Sequence, residues 1–189
     1  SVELTSKCNL RCNMCPMSNL QRPKAHMPWW LVEKVAADFR DNRIRVKWLH
    51  EMGEPLLYPQ LAEAIDLFPG CSVSTNTMLL DRAMAERILA STLGRIRLCV
   101  DTLNPDVYPT IRKGGKFEQV VGNIRNFLEL SLGHEIQVEI QRMITRPTAH
   151  QTPEDFRRFF DLDRHPHARA IEKTREGLAT FTQPAEVPA

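Results

Sequence analysis

Two hydrophobic rhythms trade places about six times along this chain, and that alternation narrows the possible folds more than any other feature. Residues 2–7, 45–50, 71–75, 95–101 and 135–143 read as strands, and 168–174 as a weaker sixth. Between them, apolar residues recur at helical spacing over 28–40, 61–68, 80–90, 117–132 and 153–160. Pro28 suits the first turn of the first helix, in which Trp30, Val35, Ala36 and Phe39 carry the apolar period. Thr152 is a natural N-cap for the last helix, and Gly133 a stop for the one before it. Strand and helix in strict alternation predict an α/β fold, a parallel sheet with helices outside. Catalytic side chains in such folds sit at the C-terminal ends of strands. Trp29 and Trp30 are expected as core or interface aromatics. A single domain over 1–177 is expected, with a loosely ordered tail over 178–189 where Thr, Pro and Ala dominate.

The chemistry is concentrated just after the first strand. Cys8, Cys12 and Cys15 stand in a C-x3-C-x2-C pattern, three of the chain's five cysteines within eight residues. Clustered thiolates are soft ligands suited to iron–sulfur clusters or zinc. A tetrahedral zinc site wants a fourth ligand, and the next Cys or His residues are His26, His50 and Cys71. A cubane of four irons held by three thiolates leaves one iron open to another ligand. A disulfide framework would leave one of three clustered thiols unpaired. A zinc-stabilised structural or binding domain, with Cys71 or Cys99 as fourth ligand, stays open on this evidence. Cys71 and Cys99 otherwise read as small buried hydrophobes on apolar strands.

A short strand followed by Cys8-x3-Cys12-x2-Cys15 resembles the signature of the radical S-adenosylmethionine (SAM) superfamily. The resemblance implies a partial (β/α)6 barrel and a 4Fe–4S cluster on the three cysteines. It further implies SAM on the fourth iron, cleaved by one electron to methionine and a 5′-deoxyadenosyl radical. Gly53-Glu54-Pro55, after the second strand, is similar to the family's GGEP motif for the SAM amino group, with Met52 in place of the first glycine. Ser74-Thr75-Asn76-Thr77 resembles a T-N-G stretch, with Thr77 where glycine is usual, and Asp101 falls in an element like S-x-D-G near SAM. Tyr108 to Phe117, with Arg112 and Gly114-Gly115, is similar to a loop of peptide- and sugar-modifying members that often carry a SPASM extension. Arg112 is then a candidate clamp for the SAM carboxylate, because a guanidinium pairs bidentately with carboxylate. Met14 takes the place of an aromatic residue beside adenine, and Gln141 or Glu139 is placed to reach the nucleoside. The candidate cofactor set is Met14, Gly53, Glu54, Pro55, Ser74, Asn76, Asp101, Arg112 and Gln141.

Composition bounds the partners. Twenty-five Lys and Arg residues against 23 Asp and Glu leave a formal charge of +2, which predicts neither a nucleic-acid nor a membrane partner. Reduced thiols and the lack of an export signal predict a cytoplasmic location. The chain begins at Ser1 without Met, so residues upstream are expected to have been trimmed. No cysteine follows Cys99, so auxiliary clusters of the SPASM kind are not expected within this chain. The resemblance implies hydrogen-atom abstraction, with a small polar metabolite such as a sugar or aminocyclitol as the preferred substrate. A peptide-modifying maturase and a glycyl-radical activating enzyme are the alternatives within the family. It also implies an electron donor such as flavodoxin or ferredoxin.

Overall fold

A computed structural model of the chain describes residues 1–173. The expected tail over 178–189 and the end of the expected core lie outside them. Four strands form a parallel sheet in the order β2 (Ser72–Thr75), β3 (Arg95–Cys99), β5 (Gln137–Met143) and β6 (Ala168–Lys173). α3 (Arg82–Leu89) joins β2 to β3, α5 (Phe117–Leu130) follows β3, and α6 (Pro153–Phe159) precedes β6. α1 (Trp29–Asp41) and α2 (Leu61–Leu67) come before the sheet. Asp81 caps α3 by accepting the Met84 amide, and Thr152 and Asp155 form a reciprocal capping box on α6.

The two N-terminal segments expected as strands belong to the same arc but are held by isolated bridges. The Val2 amide donates to Trp48 O, the Ser72 amide to Lys47 O and the Leu49 amide to Ser72 O, giving a parallel bridge from Trp48 to Ser72. Residues 2–7 cannot continue as a strand because Ser6 turns aside to Ala25, and the chain must then wrap the cysteines. Their continuation extends the arc of four regular strands toward six, consistent with the parallel sheet that alternation predicts and the partial barrel that the resemblance implies.

One face of the sheet is apolar. Val73, Ile96, Leu98, Val138 and Ile140 are fully buried against the helices. On α1 the buried stripe is Val32 and Ala36, with Trp29, Val35 and Phe39 partly covered. Trp30 faces solvent at 64% exposure, contrary to expectation, because it falls between the positions spaced three and four apart that meet the core. The opposite, concave face is polar, and the strand ends above it carry the candidate site.

Candidate active site at the strand ends

The cysteine loop is sewn to the Arg112 loop by a small antiparallel pair. β1 (Arg11–Cys12) lies against β4 (Arg112–Lys113), with Cys12 opposite Arg112. The Asn13 amide donates to Ile111 O at 2.9 Å, and its side-chain Nδ2 donates to Thr110 O. Ile111 ends the short helix α4 (Tyr108–Ile111). This pairing brings together residues 100 positions apart, and no feature of the sequence signals it.

Cys8, Cys12 and Cys15 are half-buried free thiols. Burial is the main reason Cys12 is pushed up to about 11; Cys15 and Cys8 push it the same way, and only Arg112 opposes them. Burial likewise raises Cys8, with Cys15 acting in the same direction. Three sulfurs in mutual electrostatic reach favour a bound cation that lets all three ionise. Among the described residues, no three Cys, His, Asp or Glu side chains converge tightly enough to share one metal ion. A tetrahedral zinc site requires such convergence. A cubane does not, since each thiolate binds a different iron. Next to them the Tyr108 hydroxyl is fully buried without a hydrogen-bond partner, within the field of Arg112, Asp101 and Cys12. The donor set and this unused donor suit a sulfur-rich cluster.

Asn76, at the end of β2, reaches back to the cysteine loop: its Nδ2 donates to Asn9 Oδ1 at 2.7 Å and lies 3.8 Å from the Cys8 sulfur. The Asn76 amide donates to Glu54 Oε2 at 2.7 Å, while Thr75 Oγ1 and the Leu56 amide donate to Oε1 at 2.6 and 3.1 Å. Glu54 is thus a buried brace between its own turn and the end of β2. Its carboxyl is raised by burial, against the pull of these hydrogen bonds. Pro55 is buried at the start of the adjoining 3-10 turn. Thr77, the departure from the glycine of the T-N-G stretch, keeps a left-handed backbone at φ 69°. The Thr75 hydroxyl on its amide and Asn123 on its carbonyl hold it there.

Gly53 also has a left-handed backbone, φ 83°, and a Cβ there would sit 2.3 Å from Thr5 O and 2.9 Å from Lys7 O. The bare backbone lets the Glu54 amide donate to Lys7 O at 2.7 Å, one residue before Cys8. Gly53→Ala is expected to destabilise the fold by roughly 2–4 kcal/mol, combining the φ penalty with a backbone collision. Thermal melting of the variant checks this, and an unchanged midpoint would show that the turn can relax.

Asp101 and Arg112 turn out to be partners. Arg112 Nε donates to Asp101 Oδ2 at 2.7 Å, and the Met143 amide donates to Oδ1 at 2.9 Å. Asp101 is fully buried in a left-handed conformation, φ 63°, so its oxygens orient the guanidinium from below. The Asp101 contact engages Nε and not the terminal nitrogens of Arg112. Met14 lines a cavity of about 590 Å³ with Asn13, Ile111, Met143 and Thr145, beside the cysteine loop. Ser74 and Gln141 meet one level lower, inside the sheet, both on the Cys99 sulfur at 3.4 and 3.5 Å. Cys71 is the buried hydrophobe expected, whereas Cys99 is buried among polar groups rather than in the apolar core.

The family model described as Radical SAM superfamily matches residues 2–162. The chain belongs to the radical SAM superfamily. Radical SAM enzymes use a 4Fe–4S cluster and SAM, and these are its cofactors. Among curated relatives, the probable GTP 3′,8-cyclase of Methanocaldococcus jannaschii is 31% identical over 140 residues, covering 69% of this chain and 45% of that protein. The GTP 3′,8-cyclase of Petrotoga mobilis is 28% identical over 184 residues, covering 90% and 54%. The chain therefore spans about half the length of the curated relatives it matches. Streptococcus suis SuiB, solved bound to the precursor peptide SuiA, superposes with a TM-score of 0.74 at 18% identity, covering 96% of this chain and 40% of SuiB. BtrN in complex with AdoMet and 2-DOIA gives 0.51 at 20% identity, covering 64% and 49%. These structures share the radical SAM fold. No helix among the described residues is long and apolar enough to cross a membrane.

Proposed function

We propose that this radical SAM core ligates its cluster through Cys8, Cys12 and Cys15 and acts on a small polar metabolite, such as a sugar or aminocyclitol. When bound, the reduced cluster and SAM supply a 5′-deoxyadenosyl radical, which takes a hydrogen atom from the substrate. The chain's own contribution is ligation, orientation and exclusion of solvent. The observation that carries this reading is the pair of braces around the cysteine loop: Glu54 and Asn76 behind Cys8, and Asp101 and Arg112 beside Cys12. With Asp101 on Nε, the terminal nitrogens of Arg112 suit the SAM carboxylate. The Gly53-Glu54-Pro55 turn suits its amino group, and Met14 at the mouth of the cavity suits adenine.

A nucleotide substrate is the second reading, favoured by the GTP 3′,8-cyclases among the relatives. Electrons would come from a reductant such as flavodoxin or ferredoxin. The test is anaerobic incubation of the iron-loaded protein with reductant, SAM and deuterated candidates, following 5′-deoxyadenosine. Deuterium appearing in 5′-deoxyadenosine from a labelled sugar or aminocyclitol is the expected result. Transfer from GTP alone would move the assignment to the nucleotide reading, and transfer from a peptide alone would replace both.

A further inference from the structure

The concave face of the sheet carries a charge excess that the cofactor site does not use. One row across the strands reads Ser74, Arg97, Glu139 and Arg169, with Arg95 and Gln137 one level below. Arg97 donates through Nε and Nη2 to Glu139 Oε2 at 3.0 and 2.8 Å, and its guanidinium lies 4.5 Å above the Trp48 ring. Arg169 donates to Glu139 Oε1 at 2.5 Å, and Arg95 to Gln137 Oε1 at 2.8 Å. Three guanidiniums thus surround one carboxylate on this face. Despite its burial, Glu139 is held below the usual carboxylate range by hydrogen bonds from Arg169 and Arg97, so it stays ionised and the surplus stays positive.

These arginines keep unused N–H groups, since each guanidinium has five donors. Their side chains are 28%, 19% and 66% exposed for Arg95, Arg97 and Arg169. The helices pack on the opposite face, so these groups open into the concavity rather than into the core. Above them, His50 accepts the Ser74 amide on Nδ1, which leaves its ring proton on Nε2. Burial and Arg97 push His50 down to about 4, so it is a neutral partner for hydroxyl groups. Lys173 acts on the same ring and adds a further cation toward the strand ends. Arg97 lies four residues before Asp101, about 13 Å along the strand.

We infer that the concave face is an oxyanion subsite, taking the phosphate or carboxylate of the substrate on Arg95, Arg97 and Arg169 while its reacting carbon faces the cysteine loop. The inference rests on the small-metabolite reading and narrows it to a phosphorylated sugar or a sugar acid, excluding a neutral or cationic aminocyclitol. A guanidinium presents paired donors that match either oxyanion, and a half-buried surplus charge strengthens the match.

The test uses the full chain with its cluster reconstituted, without SAM, titrated calorimetrically with inorganic pyrophosphate, citrate and glucose. Pyrophosphate or citrate should bind, and Arg169→Gln and Arg97→Gln should each weaken that binding at least tenfold. Lys34→Gln, on the exposed face of α1, should leave it unchanged. Arg169 is mostly exposed and Arg97 still holds the Glu139 carboxylate, so the Arg169→Gln variant should keep its fold while losing the anion-induced rise in midpoint. Pyrophosphate alone points to a phosphorylated substrate, and citrate alone to a carboxylated one. Equal affinity in Arg169→Gln, or no anion binding in the wild type, overturns the subsite. Neither outcome bears on 5′-deoxyadenosine formation, which separates this failure from failure of the radical chemistry.

Discussion

Cys12→Ala should lose its iron, from about four atoms per folded chain to background, after anaerobic reconstitution. Cys8→Ala and Cys15→Ala should do the same, because in the proposed ligation each of the three thiolates holds a different iron and none is spare. Cys71→Ala and Cys99→Ala should keep near wild-type iron. Cys71 is pushed up to about 12, mainly by burial, and sits in the apolar core. The Cys99 sulfur is engaged by Ser74 and Gln141 at a lower level of the sheet. Iron and sulfide assays with the visible spectrum near 400 nm (roughly, a property of such clusters) give the answer. Iron retained in Cys12→Ala, or lost in Cys71→Ala, would show that the ligand set is wrong.

The second large effect belongs to Glu54. Removing its carboxylate in Glu54→Ala strands the Thr75 hydroxyl and the amides of Asn76 and Leu56 in a buried site. Unsatisfied buried donors cost about 1–3 kcal/mol each, so a loss of about 3–5 kcal/mol of stability is expected after partial relaxation. That is a large share of the ~5–15 kcal/mol available to a domain, and corresponds to a midpoint roughly 10 °C lower. Glu54→Gln keeps an acceptor for Thr75 and Leu56 but turns an NH2 toward the Asn76 amide, so it should lose less. If Glu54→Ala melts like wild type and only SAM affinity falls, Glu54 serves the cofactor rather than the fold.

Much of the architecture was legible in one dimension because hydrophobic periodicity is a local consequence of which face a segment buries. The strands at 72–75, 95–99 and 137–143 and the helices between them fall within a few residues of expectation. The cysteine spacing and the Gly-Glu-Pro turn were legible too, since ligand count and turn chemistry are written in consecutive residues. Partnership between distant side chains was not. The cofactor roles expected of Asp101 and Glu54 say nothing of the partners the fold gives them, Arg112 for one and the Asn76 amide for the other. A carboxylate at a strand end looks the same in sequence whether it meets a ligand or a buried donor.

The sequence by itself determined the rhythm of the elements, the C-x3-C-x2-C spacing and the family to which such a pattern belongs. Only the tertiary structure decided what those residues touch. The antiparallel pairing of Cys12 with Arg112 spans 100 positions, and the row of Arg97, Glu139 and Arg169 comes from three separate strands. Both depend on strand register, which is set by the packing of the apolar face against the helices. The polar groups on the other face are carried into line by that packing, so their charges add up only once the sheet has formed.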